Sequence, residues 1–172
     1  MAEWKFSSAN DPRGAQHTRQ FTLRHFFALV TICSVAAFGY TWFKRASAPT
    51  ELLAAARIGD VDSLQQLVRS GVDIHYRDGW HTTALMVATS HGHTESVRFL
   101  IENGADPNER SRFNATPLIC AAKSGRMAIV KYLIENGAVT SLTDENELTA
   151  ADHARQNGFD ELANFIDKKG AG

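Results

Sequence analysis

Histidine and cysteine are the most chemically versatile side chains in this sequence, and their spacing decides what they can do. His91-Gly92-His93 is the densest set, since two imidazoles this close together invite a metal ion. The glycine between them breaks one helix before the second histidine, and no third ligand stands nearby in sequence. His75, His81 and His153 fall in other turns or helices, so a site built from them would need accidental geometry. Cys33 sits inside an apolar run and Cys120 in a helix, in a column that otherwise holds Ala54, Val87 and His153. Both cysteines read as small buried apolar residues rather than as a redox pair or a nucleophile. A glycine-rich phosphate loop, a nucleophile elbow and a zinc spacing are all missing from the sequence. Carboxylates such as Asp60, Asp62, Glu95, Glu102 and Glu135 recur as they would on a solvated face. The expectation is therefore no enzyme, no cofactor, no metal and no small-molecule substrate.

The elements that carry these residues fall into two parts. Of 172 residues, 44% are hydrophobic and 22% charged, a globular composition that excludes disorder throughout and a disulfide-built mini-protein. The net charge of -1 excludes a general polycation. Up to Ala48 the balance is +4 and beyond it -5, which disfavours nucleic acid as a partner of the second part.

Within the first part, residues 26–43 carry no formal charge and would span about 27 Å as a helix, close to the thickness of a bilayer core. Arg24 and His25 flank the run on one side and Lys44 and Arg45 on the other, with Tyr40 and Trp42 placed for the interface. A single transmembrane helix is expected there, after a polar leader over 1–25 and before a linker over 44–49. A buried core helix is disfavoured, because the run is apolar on all faces and stands apart from the periodic part. A cleavable signal peptide is the other reading, since Ala46-Ser47-Ala48 has a small-x-small form. The long leader, the length of the run and Pro49 speak for a retained anchor. Basic residues are tied across the run, and the short leader tips the expectation slightly towards an exported C-terminal part.

The second part repeats. Gly59, Gly92, Gly125 and Gly158 are spaced by 33 residues, as are Gly71, Gly104 and Gly137. Residues 100–105 (LIENGA) return unchanged at 133–138. Apolar columns keep the same register: Leu52, Leu85, Leu118; Ala55, Ala88, Ala121, Ala154; Leu64, Val97, Val130; Leu67, Leu100, Leu133, Ile166. Within one copy, 83–90 and 95–103 have helical spacing, Gly92 separates them, and Gly104 ends the second as a left-handed cap. Asp106, Pro107 and Asn108 then form a turn. Such a unit is too small to fold alone, so neighbours must stack into a solenoid.

Thr116-Pro117-Leu118 with Ala121, Ala122 and Gly125, and Gly104-Ala105-Asp106 with Asn108, resemble the ankyrin repeat in its TPL, AA-x-x-G and GAD-x-N elements. The resemblance covers about residues 50–167 and implies an all-α stack of helix pairs with hairpin-like loops and a concave face that binds other proteins. Four repeats are expected over 50–82, 83–115, 116–148 and a truncated 149–169, within a domain of 50–169. In such sequences a histidine after the turn glycine, here His93, bonds backbone. Thr83-Ala84 and Thr149-Ala150 depart from Thr-Pro, and the expected loop glycine is His81, Asn114 and then Glu147, of which Glu tolerates positive φ least. Val139-Thr140-Ser141 has lost the Asp and Asn pattern, so its hairpin has the weakest sequence support.

Residues 33 apart become neighbours along such a stack. Trp80 and Phe113 share a loop-tip column, interleaved with Tyr76, Arg77, Arg110 and Arg112, a composition suited to a protein interface unless each ring packs against its own loop or its neighbour. Arg57, Ser90, Lys123 and Gln156 form a second column along the first helices. Together they would make a basic groove on an acidic domain, fitted to an acidic or mixed segment of a partner protein. The expected function is a membrane-anchored interaction scaffold held to the bilayer through 26–43. The alternative is an exported accessory protein supporting an enzyme or a metal-dependent process after cleavage of the leader.

Overall fold

Threonine starts three of the helices in this structure. The computed structural model describes residues 48–171. In chain order these form α1 (48–58), α2 (Val61–Arg69), α3 (Ala84–His91), α4 (Thr94–Glu102), α5 (Pro117–Lys123), α6 (Met127–Glu135), α7 (Ala150–Gln156) and α8 (Asp160–Gly170). Thr83, Thr116 and Thr149 cap α3, α5 and α7, their hydroxyls accepting from the amides of Met86, Ile119 and Asp152 at 3.2–3.3 Å. Proline follows only Thr116, and α3 and α7 begin in the same way behind alanine. The threonine cap, not the proline, sets the start. Around Thr149 the cap is reciprocal, because Asp152 accepts from the Thr149 amide at 3.0 Å.

One helix pair makes one repeat. The first helices α3, α5 and α7 pack side by side in one layer, and the second helices α2, α4, α6 and α8 follow one another in another. The repeating apolar columns are the core between them: Leu52, Leu85 and Leu118, Ala88, Ala121 and Ala154, and Leu100, Leu133 and Ile166 are buried. Gly104 and Gly137 end α4 and α6 in the left-handed region at φ +95° and +89°, as their spacing predicts. On the outer surface, Arg98 lies over the Tyr132 ring at 4.6 Å and Lys131 over the Phe165 ring at 5.5 Å, each cation reaching one repeat forward.

The turn between the two helices of a repeat shows how the stack is joined. A methyl group on Gly92 would lie 2.8 Å from the Arg126 guanidinium, and one on Gly125 would lie 2.6 Å from the Phe159 ring. On Gly59 it would collide with the His93 ring, whose Nε2 donates to the Arg57 carbonyl at 2.9 Å. The residue that opens each second helix thus covers the turn glycine of the repeat before it. None of the three caps its own helix, for α4, α6 and α8 have no side-chain bond at His93, Arg126 or Phe159. Asp60 occupies the same position in the first repeat, where no repeat precedes it among the described residues. It caps α2 instead, accepting from the Ser63 amide at 3.0 Å and the Ser63 hydroxyl at 2.6 Å.

Apart from one antiparallel bridge between Thr143 and Thr149, no strand pairing is present among the described residues. The expected transmembrane segment 26–43, the leader over 1–25, Cys33 and most of the linker lie outside the described residues. Among the described residues no helix is long and apolar enough to cross a membrane.

Gly125 and Gly158 both have positive φ, +66° and +79°, but nothing lies over Gly158. Gly158→Ala is therefore expected to cost only backbone strain, about 1 kcal/mol. Gly125→Ala should cost about 1–2 kcal/mol more, because the Phe159 ring must leave its seat. Denaturant melts of both variants, repeated in a Phe159→Ala background, check this, and there the excess should vanish.

Candidate protein-interaction surface

Before each first helix the chain makes a tight turn at Asp78, Ser111 and Asp144, one per repeat. In each, the residue three positions on donates its amide back to the carbonyl, at 2.9–3.1 Å, and lies in the left-handed region: His81 at φ +58°, Asn114 at +57° and Glu147 at +61°. Glu147 takes the strained conformation although glutamate suits it least. Its loop is the one with weakest sequence support, yet that loop contains the bridge, and the reason lies in side chains that periodicity does not register. The Asp144 Oδ1 accepts from the amides of Asn146 at 2.9 Å and Leu148 at 3.2 Å, and its Oδ2 meets His153 Nε2 at 2.8 Å, both side chains being buried. From the preceding repeat Asn108 supplies what Val139-Thr140-Ser141 lost: its Oδ1 accepts from the Val139 amide at 2.8 Å and its Nδ2 donates to the Gly137 carbonyl at 2.9 Å. The residues Asp78, Ser111 and Asp144 share a column 33 apart, and that spacing was the signal for their common role.

The loops are then tied into a row. The Arg112 amide donates to the Trp80 carbonyl at 2.9 Å, and the Glu145 amide to the Phe113 carbonyl at 3.0 Å. Arg77 pairs with Glu109 on the next loop, and Arg110 donates to the Thr143 carbonyl on the one after. Trp80 is 58% exposed and Phe113 45%, and their rings stack with centroids 5.8 Å apart. Arg112 lies over the Trp80 ring at 5.9 Å. Each ring packs on its neighbour along the stack, and each still presents a face to solvent. Tyr76 is half-buried and packs against the core.

The arginines of the sequence-based set thus divide by role. Arg77 and Arg110 hold adjacent loops together, while Arg112 joins Trp80 and Phe113 in an exposed cluster. Arg57, Ser90, Lys123 and Gln156 are exposed at the last turns of α1, α3, α5 and α7, and the Ser90 hydroxyl donates to the Met86 carbonyl at 2.9 Å. The described loop tips precede the first turns of α3, α5 and α7. A helix of seven or eight residues separates the two columns by about 10 Å along its axis, so they do not form a single patch.

The histidine pair spends its nitrogens on backbone. His91 Nδ1 donates to the Val87 carbonyl at 3.0 Å, and His93 reaches back to Arg57 rather than within its own turn. A carbonyl only accepts, so both of those nitrogens carry hydrogen. Among the described residues no group of three or more His, Cys, Asp or Glu is placed to hold a metal ion. Burial pushes the Cys120 thiol above its ordinary value against smaller opposing contributions from Ser90 and Lys123, which favours its protonated form.

This helix-pair stack, with its tied loop row, matches a family model described as ankyrin repeats (3 copies) over residues 52–144 and again over 97–171. The chain belongs to the ankyrin repeat family, whose members bind other proteins. No curated protein matches it.

Burial works against the charge on Asp144, but the bonds from His153, Asn146 and Leu148 outweigh it and hold the carboxyl below its ordinary 3.8. A lowered carboxyl stabilises the fold above its unfolded value and loses that contribution as pH falls through the folded one. Asp144→Asn is expected to destabilise the chain by about 1–3 kcal/mol at pH 7. The gap to the parent should persist down to the ordinary carboxyl value and close below it. Thermal melts of both proteins from pH 7 down to acid check this.

Proposed function

We propose that this protein is a membrane-anchored scaffold whose ankyrin stack binds another protein through the row of loop tips, without catalysis of its own. The observation that carries the reading is the exposed Trp80–Phe113 stack with Arg112 against it, on loops already held in place by backbone bonds. Large rings presented to water on a rigid support are the usual centre of a protein interface. Arg112 favours a partner segment that is acidic or mixed in charge. Arg57 and Lys123 stand apart from this patch, at the last turns of α1 and α5.

The uncharged run 26–43 supports a single-pass anchor, with the repeats on the exported side as the favoured orientation. Tethering confines the search for a partner to the bilayer surface and raises the effective concentration there. The full chain is expected to stay with membranes after alkaline extraction, and a variant lacking 26–43 to be released. Release of the full chain would remove the anchor from the reading. With a crosslinker placed at Asn114, capture of a partner should fall at least about tenfold in Trp80→Ala/Phe113→Ala. The thermal midpoint should change little, since the lost stacking is worth about 1 kcal/mol. Capture that survives the double variant would place the interface elsewhere.

A further inference from the structure

The three loop tips differ in charge in an ordered way. The first two carry Arg77, Arg110 and Arg112 around Trp80 and Phe113 together with Asp78 and Glu109, the Asp78 carboxylate accepting from the Trp80 and Thr82 amides, while the third carries Glu145 and Glu147, both exposed, and has Asn146 in the aromatic column. Part of this charge is already used. Arg77 is paired with Glu109, and Arg110 is bonded to the Thr143 carbonyl. Arg112 leans back over Trp80 and has no carboxylate partner among the described residues. Glu145 and Glu147 have none there either. The row therefore holds one arginine without a carboxylate partner against the aromatic pair and two such glutamates at its other end, with Phe113 between them.

A surface of this pattern is complementary to itself about a two-fold axis. An axis passing near Phe113 sets the two Phe113 rings against each other and brings Arg112 and Trp80 of each copy opposite Glu145 and Glu147 of the other. The meeting of Arg112 with the two glutamates is made twice and the apolar centre is closed once, as in an isologous interface. We propose that the occupant of the loop-tip row is a second copy of this chain, docked antiparallel tip to tip. The inference rests on the reading of the row as an interaction surface. It identifies the partner by charge, because the acidic segment that Arg112 calls for lies 33 residues further along the same row, at Glu145. Three tips bury a small area, but two copies held in one membrane meet at high effective concentration, so a weak contact suffices.

The test is a charge swap on the full chain in mild detergent, with two differently labelled copies expressed together and recovery of one on the other measured. Arg112→Glu is expected to lower recovery by about tenfold, and Glu145→Arg/Glu147→Arg to do the same. The triple variant restores opposite charges across the axis and should recover to near the parent level. Any of three results overturns the proposal: no recovery of the parent copies on each other, recovery indifferent to every reversal, or a triple variant no better than the single and double ones. All the substituted side chains are exposed, and equal thermal midpoints confirm that the variants fold. If the copies stay apart while crosslinks from Asn114 to a different protein disappear in Trp80→Ala/Phe113→Ala, self-association fails and the interaction surface stands. If neither readout depends on Trp80 and Phe113, the surface itself fails.

Discussion

A single helix pair has too little apolar surface to hold itself together, so the whole structure depends on how one repeat seats on the next. The seat is the turn glycine, and the group that fills it is His93, Arg126 or Phe159 from the following repeat. These three side chains differ in charge, size and polarity, yet occupy equivalent places. What the position demands is a flat or extended group that lies over a backbone without a Cβ, rather than a particular chemistry. The helices that follow begin without side-chain caps, since the position is filled for its reach to the repeat before rather than for an acceptor, which Arg126 and Phe159 lack. Asp60 behaves as a conventional cap, with no such contact among the described residues.

The loops obey a second rule of the same kind. Each is closed locally by Asp78, Ser111 or Asp144 and joined laterally by amide-to-carbonyl bonds. Where the local sequence is poor, neighbours compensate: Asn108 completes the loop after Gly137, and His153 steadies Asp144 from the first helix of the next repeat. Charged side chains that look available on a sequence, such as Arg77 and Arg110, turn out to be lateral ties. The exposed chemistry that remains is narrow, an aromatic pair with one arginine and a pair of glutamates.

Much of the fold was legible in the sequence because repetition multiplies weak signals. The glycine series and the apolar columns located the helix ends and the core within a residue or so, and the aromatic column located the loop tips. What the sequence did not disclose depends on reach between repeats. An offset of 33 aligns equivalent positions, whereas the contacts of His93 with Gly59, of Arg98 with Tyr132 and of Arg112 with Trp80 run at offsets of 34, 34 and 32. Column alignment therefore groups residues of like role without saying which ones touch. The Asp144–His153 pair escaped for another reason: His153 stands in a column that otherwise holds Ala54, Val87 and Cys120, so no other repeat shows the pair. For the loop tips, period identified the residues, and geometry was needed to separate the tying arginines from the presenting one.

The lateral bonds between loops have an entropic consequence. Free hairpin tips would each lose conformational freedom when covered, at a cost that grows with every loop a partner touches. Here the Trp80 carbonyl is held by Arg112 and the Phe113 carbonyl by Glu145, so the tips are ordered before anything meets them. Contact energy is then opposed chiefly by the loss of overall motion. Encounter does not wait for a loop to find its shape, and complexes formed on this row exchange at rates set by diffusion and by the few contacts made, not by folding of the surface.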